Sequence, residues 1–285
     1  MTQHGLRQLA RKKIDSLAGT WYKTEAALSV CLDSSVGQIN KRNLISIMSQ
    51  EEIREEKQKL VIVGISSTAR HVYHFVRYHD MYDVVGFAVN EQYRTVDSFM
   101  DLPVYTLEHL PEECPHREFK VFVAVLWNRL NADRRKVYEY CKRMGYEMVN
   151  LISPLAAFRG KIDGDNCWVH DFAVVQNDTT ICSDTFLMAH CFLGGYSHVG
   201  PHCFFAARSL LGGGSTVEEQ SFFGFSSSVF DATHIGKKCI VGACTAIKRN
   251  MPDFSKCITS ADNTVMKQYM EDEVENKLLY RLNVR

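Results

Sequence analysis

The chain has 285 residues, room for about two domains of ordinary size. Its 33 basic residues balance 33 acidic ones, which excludes a broad basic surface and hence nucleic acid as an expected partner. No apolar run approaches the length of a membrane span, and the opening MTQHGLRQLARKK lacks the apolar core of a signal peptide, so the sequence predicts a cytoplasmic protein with no membrane partner.

Residues 1–58 predict a helical extension. Leu6, Leu9, Ile14, Leu17, Trp21 and Leu28 recur near helical spacing, and 43–57 reads as a second helix rich in charge. Residues 59–155 predict an α/β domain. KLVIVG (59–64) is an apolar strand ending in glycine, and STARHVYHFVRYH after it places Val72, Phe75 and Val76 on one helix face. DVVGFAV (83–89), KVFVAVL (120–126) and YEMVNLI (146–152) read as further strands, with a helix from Arg134 to Met144 between the last two. Strands alternating with helices predict a parallel sheet.

From Gly164 the pattern changes to a period of six. Cut in sixes, the sequence runs GDNCWV HDFAVV QNDTTI CSDTFL MAHCFL GGYSHV GPHCFF and onward to GACTAI, fourteen hexads without a break. Every sixth residue is apolar, and two before it stands Cys, Ala, Thr or Ser. Such a period predicts a parallel β-helix with roughly 18 residues per coil. The large residue fills the interior, the small one also points inward, and the residue between them points out. Four of the ten cysteines (Cys167, Cys191, Cys203 and Cys239) occupy the small slot and read as interior filler. No CxxC pair occurs, so the usual zinc-ribbon spacing is absent.

The order of these segments resembles the hexapeptide-repeat sugar acyltransferases that include sialic acid O-acetyltransferase and nucleotide-4-amino-sugar N-acetyltransferases. The residues that carry the resemblance are KLVIVGISSTARHV, VVGFAVNEQ, DLPVYTLEHLP, the segment from VFVAVLWNRLNADRRK to NLISPLA, and GGYSHVGPHC. The fold it implies is a Rossmann-like nucleotide-sugar-binding domain over 59–155, a left-handed parallel β-helix over 156–267, and a tail over 268–285. It implies a homotrimer that uses acetyl-CoA to acylate a nucleotide-linked sugar for surface-glycan biosynthesis.

The same resemblance assigns sites. The turn from Gly64 through Ser66, Ser67 and Arg70 would face a diphosphate, although it is not the GxGxxG of dinucleotide sites. Asn90, where the family usually has an acid, would face the base or ribose. Ala189 falls at the position of the family's histidine base, and His190 falls one residue later, where an acid follows that base. His190 is thus the candidate base, and a base near neutral pKa suits the proton transfer. His198 matches a family histidine near the acyl end of CoA. Ala207, Gly213 and Gly214 would line the CoA groove, with Lys248 and Arg249 near its phosphates. Phe204, Phe222 and Phe225 read as exposed aromatics of a subunit interface or of the wall beside the pantetheine arm. Three other readings compete: transfer to a hydroxyl, a non-catalytic sugar-nucleotide scaffold, and a trimeric zinc enzyme built on His198, His202 and His234.

Overall fold

A computed structural model describes residues 57–259. The chain divides into residues 1–56 and 57–285. The helical extension expected before residue 57 and the segment from 260, including the expected tail, lie outside the described residues.

The first described element is strand β1 (Lys59–Val63). Helix α1 (Ser67–Tyr78) follows, capped by Ser66, whose Oγ accepts the Thr68 N–H at 3.3 Å. Its buried face is Val72, Tyr73, Phe75 and Val76, as the helical spacing requires. Then come β2 (Asp83–Val89), β3 (Ser98–Phe99), β4 (Leu102–Thr106), the short α2 (Leu110–Glu113), β5 (Phe119–Val123) and α3 (Ala132–Arg143). The sheet order is β3-β4-β2-β1-β5, parallel except for the β3–β4 pair. Strand order reverses at β1, which has β2 on one side and β5 on the other.

Residues 146–152 depart from the expected strand. Only Met148 bridges to Val121, while Leu151–Ile152 leaves this sheet and pairs with Trp168–Val169. The β-helix therefore starts before the first clean hexad. Ala157–Phe158 and Lys161–Asp163 complete its first coil, with pairing to residues 174–175 and 180–182.

Three parallel sheets of seven, six and five short strands build the coil, which fits a left-handed β-helix. The sixth residues of the hexads, from Val169 to Val241, are completely buried. Each contributes about 1.5–3 kcal/mol of burial. The small inward residues do more than save space. Thr185 and Ser197 donate their hydroxyls to Gly200 and Gly212 at 3.1 and 3.0 Å, each partner fifteen residues on. Cys167 and Cys203 donate their thiols in the same way to Cys182 and Glu218. Burial pushes both thiols up to about 12, so they stay protonated.

Every third hexad residue from Asn166 to Cys244 turns a corner with φ between +51° and +65°. Only one of these fourteen positions, Gly214, is glycine. The rest accept a conformation that ordinarily disfavours a side chain, because the coil closes only through it.

The seven-stranded sheet carries an outward ladder of Trp168, Phe186, Phe204 and Phe222. The α/β unit covers it: Phe122 stacks on Phe186 at 5.6 Å, and Trp127 meets Phe204 at 4.8 Å. Phe204 is 1% exposed. Its expected place in an exposed wall is thus corrected, and Phe222 beside it stacks on it at 5.6 Å. Phe225 does remain exposed.

At one edge of this ladder α3 is locked down by charge. Arg134 and Asp184 have side chains with no exposure, and Nε donates to Oδ1 at 3.0 Å. Arg134 also donates to the Asp184 and Cys203 carbonyls and lies 4.1 Å above the Phe186 ring. Asn166 and His202 donate to the same carboxylate at 2.7 and 2.8 Å. Arg134→Ala leaves Asp184 buried without its cation, and should cost about 3–5 kcal/mol. The check is the urea midpoint, which should fall with an unchanged slope.

Candidate functional site

The candidate site grows from the corner between the seven-stranded and six-stranded sheets. Its corner residues, one per coil, are Phe172, His190, Arg208, Ser226 and Cys244, all with positive φ. His190 is exposed here because the corner turns its side chain away from the core. Its ring stacks on Phe172 at 5.1 Å, and its N–H donates to the Asp171 carbonyl at 3.2 Å.

Beside this corner lies an open groove of about 490 Å³ lined by His190, Phe192, Arg208, Ser209 and Leu210. Phe192 and Leu210 are the outward residues of neighbouring strands in the six-stranded sheet. The groove is apolar along its wall and basic at its rim. Arg208 has no side-chain partner among the described residues, and the sequence reading missed it. Its signal was available: a long cation at a hexad corner, next to Ala207, has nowhere to go but outward.

Below His190, five groups join the corner to α1 and the residue after it. Asp171 accepts from Ser153 Oγ at 2.5 Å and from His79 Nε2 at 2.8 Å. Burial opposes ionisation of this carboxyl, but those hydrogen bonds outweigh it and hold its pKa low. The Asp171 N–H donates to His170 Nδ1 at 2.7 Å, so the neutral ring carries its proton on Nε2. That Nε2 faces His71 Nε2 at 2.9 Å. Burial lowers His170 to about 4, helped by the charge His71 would carry, and lowers His71 as well. The pair is neutral at pH 7. The His170–Asp171 succession was not singled out in the sequence, because these residues occupy the first two hexad positions instead of the expected second and third.

The other expected residues fall elsewhere. Gly64 (φ +130°) ends β1, donating to the Ala88 carbonyl at 2.7 Å, and an added Cβ would press on the Ala124 carbonyl at 3.1 Å. Ser66 and Ser67 are exposed at the start of α1, and Arg70 lies 5.6 Å from the Phe99 ring. Asn90 bonds Glu108 at 2.9 Å and lines a separate cleft of about 340 Å³ with Lys136, Tyr140 and Arg143. His198 lies on the five-stranded sheet, away from the corner that holds His190. Ala207 shares the corner of His190. Gly213 and Gly214 turn the next corner, where Gly213 donates to Asp231 at 2.7 Å. Lys248, 5.8 Å from the Phe230 ring, lies two coils further along that edge. One chain therefore brings His190 together with Ala207 and Arg208, but not with His198.

His198 and His234 occupy outward positions in line on one sheet, with Thr216 between them. His202 instead faces Asp184, its Nδ1 donating within the buried lock, so the three histidines do not converge within one chain. Among the described residues no group of three or more His, Cys, Asp or Glu is arranged to hold a metal ion. Nor is any described helix long and apolar enough to cross a membrane.

The depressed pKa of His170 has a sign that can be checked. Between pH 6.5 and about 4 the unfolded chain takes up a proton that the folded chain refuses. The stability this histidine contributes is present above pH 6.5 and declines through that window as pH falls. His170→Gln should flatten the slope of unfolding free energy against pH between those values, measured by urea denaturation.

No protein-family model matches the chain, and no curated protein matches it. Solved structures do. Perosamine N-acetyltransferase from Caulobacter crescentus, as an asparagine-for-histidine variant in complex with CoA and GDP-perosamine, aligns at 24% identity with a TM-score of 0.64, covering 70% of this chain and 93% of that one. The alanine variant at the same histidine aligns at 26% identity with a TM-score of 0.56, over 70% and 93% of the two chains. The acetyltransferase domain of PglB from Neisseria gonorrhoeae FA1090 aligns at 21% identity with a TM-score of 0.63, over 71% and 97%. The described chain shares the fold of these acetyltransferases.

Proposed function

We propose that the chain is an enzyme that transfers an acyl group, acetyl in the simplest case, from acyl-CoA to an amino group of a nucleotide-linked sugar. The observation that carries this reading is the groove in which His190 and Arg208 flank an apolar wall, on a β-helix coupled to an α/β unit. The fold shared with N-acetyltransferases, found in complexes with CoA and GDP-perosamine, supports it.

In this reading residues 59–155 form a Rossmann-like unit. Its ligand takes the crevice at the carboxyl ends of β1 and β5, where strand order reverses. The N–H groups at the start of α1 and the hydroxyls of Ser66 and Ser67 receive the diphosphate, with Arg70 one turn on. Residues 156–267 hold acyl-CoA along the open six-stranded face, between the corner of Ala207 and the edge of Gly213, Gly214 and Lys248. Acyl-CoA supplies an activated carbonyl. The sugar amine attacks it, the C–S bond breaks, and His190 takes the proton the amine releases. The amine needs less help than a hydroxyl, and Ala189 at the expected base position favours the amine as acceptor. His198 lies on another face, so the site draws on a second copy, and a homotrimer supplies one. The product is a building block for a surface glycan, and the protein works in the cytoplasm.

The test is release of CoA thiol from acetyl-CoA with UDP-, dTDP- and GDP-linked amino sugars. One of them should give steady turnover. His190→Ala should then lower kcat by about 10²–10⁴-fold with little change in the KM for acetyl-CoA. No thiol release with any of these acceptors would overturn the reading.

A further inference from the structure

The segment between β5 and α3 carries backbone strain. Arg129, Leu130 and Asn131 follow one another at φ of +51°, +57° and +64°, and none is glycine. Residues with a Cβ visit this left-handed region singly, not in succession. The turn is closed by the Asn131 N–H, which donates to the Trp127 carbonyl at 3.0 Å. It is held by the buried Asn131 side chain, which accepts from Arg134 at 3.3 Å and donates to the Ser221 carbonyl at 3.4 Å. What the turn sets is the position of Trp127. That ring leans on Phe204 and Phe222 at 4.8 and 5.7 Å, yet the residue stays 39% exposed. Among the described residues its indole N–H has no hydrogen-bond partner.

We propose that Trp127 is the platform on which the sugar ring of the nucleotide-linked substrate stacks. The proposal rests on a nucleotide-linked sugar being the acceptor. Trp127 follows β5, and its loop borders the crevice where strand order reverses. The segments after β1 and β5 lie side by side there, since the Ala124 N–H donates to the Val63 carbonyl at 2.8 Å. A diphosphate at the start of α1 sends its two substituents to opposite sides of β1. Asn90, after β2, stands on one side, and Trp127, after β5, on the other. The acceptor has to reach the groove of His190 on the β-helix. The sugar therefore takes the side of Trp127, whose ring already rests on the β-helix aromatics. Ile65 and Leu126 pack in one apolar cluster with Met188 and Ala206, and His190 and Arg208 each stand two residues beyond the last pair. A pyranose presents C–H bonds with small positive charge on one face, which suit the negative face of an indole. The indole N–H is available to a sugar hydroxyl. The strained turn fixes the ring before the ligand arrives, which reduces the ordering cost of binding.

The experiment is calorimetric titration of the full-length protein with UDP-, dTDP- and GDP-linked amino sugars and, separately, with UDP, dTDP and GDP. For the amino-sugar nucleotide that binds, Trp127→Leu should weaken affinity by about 10-fold and leave the matching free nucleotide within about twofold. The unchanged free nucleotide also reports that the variant is folded. Trp127→Phe and Trp127→Tyr keep an aromatic face and should retain most of the affinity. Equal losses for both ligands, or no loss for either, would overturn the platform. Failure of the unaltered protein to bind any of the three amino-sugar nucleotides would overturn it together with the reading on which it rests. Binding that depends on Trp127 with no thiol release from acetyl-CoA would uphold the platform and overturn acyl transfer alone.

Discussion

The ion pair of Arg134 and Asp184 is the joint on which the described structure depends. Neither side chain has any exposure, and two backbone carbonyls, Asn131, Asn166 and His202 bond to them. Removing a guanidinium from water is costly unless its donors are matched in this way. Here the match fixes α3 against the edge of the aromatic ladder. The α/β sheet then rests on Phe186 and Phe204, and β5 is tied to the second coil, where the Val123 N–H donates to Asn166 at 2.7 Å. Two units that each have their own core behave as one body at this seam.

The opposite edge is held by a different chemistry. At the α1 corner the contacts are imidazoles around one carboxylate, with His79 and Ser153 on Asp171 and the His71–His170 pair beside it. The first edge is a permanent charge pair; at the second, the His71–His170 pair is neutral at pH 7 and sits beside the ionised Asp171. The edge with the titratable groups is also the one next to His190 and the open groove. The ladder between them is covered by the α/β unit, while among the described residues Leu210 on the six-stranded face and His198 on the five-stranded face stay exposed. One carries Phe192, Leu210 and Arg208, and the other carries His198. Chemistry at either face is thus physically separate from the joint that keeps the units aligned.

Much of the fold was legible in the residues. The six-residue period fixed the coil, since no other packing repeats an interior residue at that interval. The four filler cysteines followed from their slot, and the buried face of α1 followed from Val72, Phe75 and Val76. Less was legible at the boundary. YEMVNLI has the composition of a sheet strand, but Leu151 and Ile152 pair with Trp168 and Val169, because the lowest coil needs a strand to cover its edge. Phe204 and Phe222 alternate outward by the repeat, and the repeat alone reads outward as exposed. A second unit seated on that face reversed their environment.

The candidate site divides along the same line. Sequence by itself determined that His190 turns a corner and that His198 points outward from a strand, because each follows from position within six residues. Tertiary structure alone decided which of them meet. His190 is joined by Arg208 from the corner eighteen residues on, and His170 by His71 from a helix ninety-nine residues earlier. A local repeat sets direction for each side chain. Only the stacking of coils, and the docking of the α/β unit on one of three faces, sets the neighbours that give each side chain its chemistry.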